Sequence, residues 1–226
     1  FDLQNSSRTK FYRKFLLPEA VWSSTETTLE PGETKESFDK DPVLDRMEIQ
    51  LKKSGIKTQN VKQIDLSWAF VNMDRLIKQY TNDEFFLIFP FCSRKHIKKK
   101  WPYYKELINK IKITYKNKYT ILVAPGPNEI EESKEFNAKV VLYNNNPIDL
   151  TQLITLVAKS KFVITNDTGP AHICSHLKKK GLVLFGSHTT AKQVSIETEE
   201  FKAISVKDLS ELKVDTVLSE IERNLN

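Results

Sequence analysis

Cysteine is scarce in this chain of 226 residues. Cys92 and Cys174 lie far apart, neither belongs to a CxxC pair, and no His or Cys cluster has zinc-ligand spacing. That argues against a disulfide scaffold or a zinc module and suits a reducing compartment. No apolar run approaches the ~20 residues of a membrane span, and no signal peptide is visible. Three loops that announce a chemistry are missing as well: GxGxxG, GxxxxGK[ST] and GxSxG. Their absence counts against simple dehydrogenases, P-loop NTPases and elbow-type nucleophiles. No Cys–His pairing stands out and no internal repeat is found.

Hydrophobic residues make up 39% of the chain, enough for a real core, and the 28% that are charged are ordinary for a globular protein rather than a disordered one. Thirty-five Lys and Arg against 29 Asp and Glu leave a net charge of +6. Such an excess suits anionic partners: nucleotide phosphates, nucleic acid or an acidic membrane surface. The lysine runs Lys98–Lys100 and Lys178–Lys180 are short and read as solvated surface. Interleaved aromatics and a nucleic-acid motif are both lacking, so no nucleic-acid partner is expected.

The texture changes near residue 80. Before it the chain is irregular. Ser23 to Asp41 is polar and reads as a loop, and helical spacing is expected over Asp41–Lys53 and Asn72–Tyr80. After it strands and helices alternate. Strands are expected at Phe85–Phe89, Tyr119–Ala124, Lys139–Tyr143, Phe162–Thr165, Gly181–Phe185 and Ala203–Val206. Helices are expected after Pro102, at Glu129–Asn137, Asp149–Lys159 and Pro170–Leu177, and from Asp208 onward. This predicts an α/β fold, a doubly wound parallel sheet over 81–226, with its ligand site at the carboxyl ends of the strands.

Residues just after each strand are therefore the candidates. Thr165–His172 reads TNDTGPAH, follows an apolar strand and opens a helix. Pro170 fits the first helical position, and Gly169 would let the chain turn and a ligand approach. Free N–H groups of Thr168, Gly169, Ala171 and His172 at the positive helix end would suit a pyrophosphate. Asp167 could accept from sugar hydroxyls, and Thr168 and His172 could donate to phosphate. The bland alternative is an ordinary cap and a helix histidine. After the first strand come Ser93 and Lys99–Pro102, a hydroxyl and a mobile charge for phosphate, or simply a basic loop with Trp101 as anchor. After the second, Glu129 in Gly126–Glu129 could hold a ribose or favour a helix start. Ile148, before the helix cap Asp149, could wall a base or be core.

Taken in order, Lys99–Pro102 (KKWP), Gly126–Glu129 (GPNE), Asn166–His172 (NDTGPAH) and Leu184–Gly186 (LFG) resemble the motifs of glycosyltransferase family 9, the ADP-heptose:lipopolysaccharide heptosyltransferases. The opening Asp2–Gln4, with Arg8, resembles a strand and turn late in that family's N-terminal domain. The resemblance implies a GT-B architecture: residues 1–80 as the remainder of an N-terminal acceptor-side α/β domain, and residues 81–226 as a C-terminal Rossmann-like nucleotide-sugar domain. It implies inverting transfer of heptose from an ADP-sugar to a lipid-linked lipopolysaccharide core, without metal or other cofactor, in the cytoplasm at the inner face of the inner membrane with peripheral membrane contact. By motif, Ser93 and Lys99 would contact phosphates, Glu129 the ribose, Ile148 the base and Asp167 the sugar. Thr168, Gly169 and His172 would complete the pocket. The family's catalytic aspartate is expected to precede Phe1, so no catalytic residue is assigned. Where the family has Pro after Phe-Gly this chain has Ser187, and the following His188 reads as a solvent-exposed loop histidine. A GT-B transferase using another nucleotide sugar, and a non-catalytic nucleotide-binding module, stay open as alternatives.

Overall fold

A computed structural model describes residues 1–58 and 64–225. The chain divides into two compact units, Phe1–Ile64 with Lys192–Ser195, and Asp65–Ala191 with Ile196–Asn226.

In the first unit the described residues form helices and turns. Helix α1 (Ser7–Phe11) is capped by Ser6 and runs into a wider π-type turn, Tyr12–Leu16. The strand expected at Asp2–Gln4 does not form. The buried Asp2 instead accepts the Asn5 N–H at 2.8 Å, and Asn5 takes a positive φ of 49°, so the chain turns. Gln50 is the internal tie: its side-chain amide donates to the Asp2 carbonyl at 3.1 Å and to the Ser23 hydroxyl at 3.2 Å. It projects from α3 (Val43–Lys53), which starts after Pro42. The polar stretch before it is more ordered than its composition suggests. It contains α2 (Lys35–Phe38), where Thr34 caps and Phe38 is buried.

The second unit opens with a 3-10 turn, Ser67–Ala69, and α4 (Asp74–Tyr80), and then winds a sheet of six strands, all parallel. They are β1 (Phe85–Phe89), β2 (Thr120–Val123), β3 (Lys139–Val140), β4 (Phe162–Asn166), β5 (Gly181–Phe185) and β6 (Phe201–Ser205), in spatial order 3-2-1-4-5-6. Helices α5 (Tyr104–Thr114), α6 (Ile130–Ser133), α7 (Leu150–Lys159), α8 (Gly169–His176) and α9 (Val214–Leu225) make the connections and the end. Strands β1, β4 and β5 are buried along their whole length, which is why they read as apolar runs, broken only where β4 ends in Thr165 and Asn166. Gly181 is required where β5 meets β4: a Cβ there would stand 2.4 Å from the Val163 carbonyl.

Several elements are shorter than their patterns. Asp208 caps a single 3-10 turn, Leu209–Glu211, and Leu212 then extends the chain before α9, so the expected final helix is split. The helix expected over Glu129–Asn137 closes after Ser133. Among the described residues no helix is long and apolar enough to cross a membrane.

Candidate functional site

Strands β1 and β4 are neighbours at the centre of the sheet, but the chain leaves them in opposite directions, toward β2 and toward β5. Loops that diverge at such a switch point leave a crevice at the carboxyl ends. A cavity of about 430 Å³ lies there. Phe91 to Ser93 after β1, Ala124 to Pro127 with Glu129 after β2, Pro147 and Ile148 before α7, and Thr168 with Pro170 at the start of α8 line it. Four of the eight expected residues, Ser93, Glu129, Ile148 and Thr168, thus share one wall. Lys99, Asp167, Gly169 and His172 do not line it.

Each position has a local cause. Ser93 begins the 3-10 turn Arg94–Lys99, with its carbonyl taking the His96 N–H at 2.8 Å and its hydroxyl unbonded among the described residues. Glu129 clips its own loop, accepting the Gly126 N–H at 2.7 Å. Its first task is therefore the turn, and it faces the cavity from there. Ile148 is half-buried, a wall residue rather than core. Asp149 beside it caps α7 in a reciprocal box with Gln152.

At the start of α8 the expected row of free donors is shorter than foreseen. The Ala171 N–H bonds the Thr168 carbonyl at 3.0 Å, while the N–H groups of Thr168 and Gly169 have no partner among the described residues. Gly169 does not serve a sharp turn, since it has no positive φ. A Cβ added to it would meet nothing within 4 Å. Nothing inside the protein therefore demands glycine. The Gly169→Ala variant is expected to fold at least as stably as wild type, because alanine favours a helix by up to about 1 kcal/mol over glycine. It should lose affinity for any ligand that seats on this backbone. A fall in melting temperature with unchanged ligand affinity would contradict that.

Asp167 is the electrostatic centre. Its side chain is 4% exposed, and its Oδ2 accepts from Lys99 Nζ at 2.6 Å and meets His188 Nε2 at 2.9 Å. Burial pushes the carboxyl up, but the bonds and charges of Lys99 and His188 outweigh it and hold it below the ordinary aspartate value. A depressed folded-state pKa stabilises the fold above the unfolded value. That stability is lost as pH falls through the folded one. Wild type should accordingly lose stability in acid, below the ordinary aspartate range, along a limb that Asp167→Asn lacks in parallel denaturant titrations. His188 is exposed as a loop residue, but its side chain is only 17% exposed and its ring stacks on Phe185, centroids 6.0 Å apart. His172 is half-buried; burial lowers its pKa against the opposing pull of Asp167, so it is neutral at neutral pH.

Asn166 escaped assignment from sequence. It is fully buried at the end of β4, and its Oδ1 accepts from the Trp101 N–H at 3.1 Å and the Tyr104 hydroxyl at 3.2 Å. Its Nδ2 donates to the Phe91 carbonyl at 3.3 Å. One side chain thus joins the loop after β1 to β4. Trp101, also fully buried, donates its indole N–H to the Leu212 carbonyl at 2.9 Å. The signal was available: a polar residue ending an apolar strand, next to Asp167.

A family model described as glycosyltransferase family 9 (heptosyltransferase) matches residues 31–213. A search of curated protein sequences finds no match. Among solved structures, E. coli heptosyltransferase WaaC with ADP is similar at a TM-score of 0.61 and 21% identity, over 82% of this chain and 57% of that one. E. coli ADP-heptose lps heptosyltransferase II is similar at 0.63 and 16%, over 85% and 64%. A family 9 glycosyl transferase from Veillonella parvula is similar at 0.65 and 15%, over 82% and 60%. The chain thus spans less than two thirds of each of these proteins. At such identities the likeness shows the fold, the α/β arrangement of GT-B structures.

Proposed function

Because the chain belongs to glycosyltransferase family 9 (heptosyltransferase), we propose that its second unit binds a nucleotide sugar of the ADP-heptose type and serves inverting transfer of the heptose to a lipopolysaccharide core acceptor. The observation that carries this reading is the convergence of Ser93, Glu129, Ile148 and Thr168, from four separate loops, on one cavity at the switch point. Ile148 and Pro147 offer an apolar wall to a base, and Glu129 a carboxylate to the ribose. The unpartnered N–H groups of Thr168 and Gly169, at the positive end of α8, suit the diphosphate together with the Ser93 hydroxyl. From positions outside this cavity, Lys99 is assigned the charge on the diphosphate and Asp167 and His172 the sugar.

In the reaction an acceptor hydroxyl oxygen bonds to the anomeric carbon as the carbon–oxygen bond to the β-phosphate breaks, releasing ADP, while the hydroxyl proton passes to a base and on to solvent. The helix end and Lys99 stabilise the charge that develops on that diphosphate. The site residues bind and neutralise; none of them is assigned as the base. That ADP accompanies WaaC in its structure, and a fluorinated ADP-heptose in a second one, supports this choice of donor.

Calorimetric titration with ADP, UDP and ADP-heptose tests the reading. Saturable binding that favours the ADP compounds is expected. A preference for UDP would change the donor, and no binding to any of the three would overturn the donor site.

The acceptor in this reading is lipid-linked and is met by peripheral contact at the cytoplasmic face of a membrane. Exposed Phe11, Phe15 and Leu16 beside Arg8 and Lys14 support the contact, as apolar and basic side chains together suit an anionic surface. Co-sedimentation with anionic vesicles should fall several-fold in a Phe11→Ser, Phe15→Ser double variant. Equal sedimentation would remove that contact.

A further inference from the structure

The run Lys178–Lys180 has the texture of solvated surface, but the fold gives it a concave setting. Between α8 and β5 it meets Lys161, which stands just before β4, and all four lysines line one cavity of about 570 Å³. The cavity lies at the amino ends of β4 and β5, whereas the donor crevice lies at the carboxyl ends of the sheet.

This positive charge is incompletely answered. Glu200 is the one acid in the lining, and its carboxylate is 3.9 Å from Lys180 Nζ, beyond hydrogen-bond reach. Lys161 pairs with Glu84 at 2.9 Å. Lys179 Nζ donates to the Ala158 carbonyl at the end of α7, 3.0 Å away, which uses one of its three N–H groups. Lys178 has no side-chain partner among the described residues. The carbonyl ends of α7 and α8 offset part of the excess. Even so, burial and the like charge of Lys161 hold the Lys179 ammonium below the ordinary lysine value. An anion in the cavity would relieve both. Lys178 adds a second sign. Leu177 ends α8, and the next position is one where glycine is the usual residue. Lys178 occupies it with a φ of 50°, so a charge is kept where the backbone favours glycine.

Other parts of the wall are apolar, with Phe70, Leu177 and Leu225. Phe70 lies between Trp68, which is 78% exposed, and the exposed Val71. The segment is held in place: Ala69 is buried, and the Val71 N–H bonds the Thr155 hydroxyl of α7 at 3.0 Å. Three apolar side chains are thus presented to solvent beside a basic cavity.

We propose that this cavity binds the phosphate-ester headgroup of an anionic phospholipid, with its lysines on the phosphate and Trp68, Phe70 and Val71 in the interfacial layer. A bare phosphate would leave Phe70, Leu177 and Leu225 without a task in a cavity of small-molecule size. A headgroup with the start of its acyl chains meets both walls. Basic residues draw a protein to anionic lipid, and tryptophan favours the boundary between headgroup and chain. The site depends on neither the donor reading nor the contact through Phe11 and Phe15.

Vesicle binding tests it, with phosphatidylcholine alone and with added phosphatidylglycerol. Lys178→Gly, Lys180→Gln should bind the mixed vesicles roughly ten- to thirtyfold more weakly than wild type. Its melting temperature should not fall, because glycine suits position 178. Lys105→Gln, Lys134→Gln removes as much charge from two lysines outside the cavity, and should lose less than about threefold. Equal losses in the two variants would reduce the effect to net charge and overturn the site. Trp68 fluorescence, read as the difference between wild type and Trp68→Phe, should be quenched by lipids brominated on their chains, and absence of quenching would overturn the lipid contact. Titration with glycerol phosphate separates the sources. Lysine-dependent binding of that ester without vesicle binding would overturn the lipid and leave the cavity to soluble phosphate esters, and no lysine-dependent binding of either would overturn the whole.

Discussion

Replacing Asn166 by alanine is expected to cost about 4 kcal/mol of folding stability, read as a lower denaturant midpoint at unchanged slope. The substitution leaves the Trp101 N–H, the Tyr104 hydroxyl and the Phe91 carbonyl without a partner, all at a fully buried point between β1 and β4. Each orphaned group costs on the order of 1–3 kcal/mol. Asn166→Asp discriminates further. Its carboxylate keeps an acceptor for Trp101 and Tyr104 but turns a second oxygen toward the Phe91 carbonyl, whereas the neutral acid can donate there. Its folded-state pKa is then raised above the unfolded value, so its stability should improve as pH falls. That is opposite to the acid limb that Asp167 gives wild type. A loss below about 1 kcal/mol in Asn166→Ala would mean that the network adds little.

Lys99→Ala and Asp167→Asn should separate the two halves of the donor. Losing the lysine removes a charge-assisted bond of about 1.5–3 kcal/mol, so ADP affinity is expected to fall roughly ten- to hundredfold. Asp167→Asn acts the other way on ADP: it releases Lys99 from its 2.6 Å partner, so ADP affinity should hold or rise. The same variant should bind ADP-heptose more weakly relative to ADP, because the group assigned to the sugar is lost. Equal loss for both ligands would make Asp167 a structural cap. Unchanged ADP affinity in Lys99→Ala would remove the lysine from the phosphate site. Calorimetry on the three proteins with both ligands covers every case.

The sequence by itself determined the sheet. Strands β1, β4 and β5 are buried on both faces, and burial of that kind leaves short, mainly apolar runs whose length and bounding turns suit strands. It also determined where to look, because parallel strands present their carboxyl ends on one side, and so Ser93, Glu129, Ile148 and Thr168 were legible before any coordinates. It was less informative where local pattern and long-range pairing compete. Asp2–Gln4 is expected as a strand from the family resemblance alone, but no strand is formed among the described residues of its unit. A side-chain bond from Asp2 to the Asn5 N–H turns the chain instead.

Only the tertiary structure decided the charges. Lys99, Asp167 and His188 belong to three loops, and nothing in their spacing says that one carboxylate oxygen holds both nitrogens. It likewise decided that Gly169 faces open space while Gly181 abuts a carbonyl, although both are simply glycine in the sequence. The physical reason is the same in each case. Apolar periodicity is a property of one segment, whereas an ion pair, a buried polar knot or a steric limit exists only once distant segments meet.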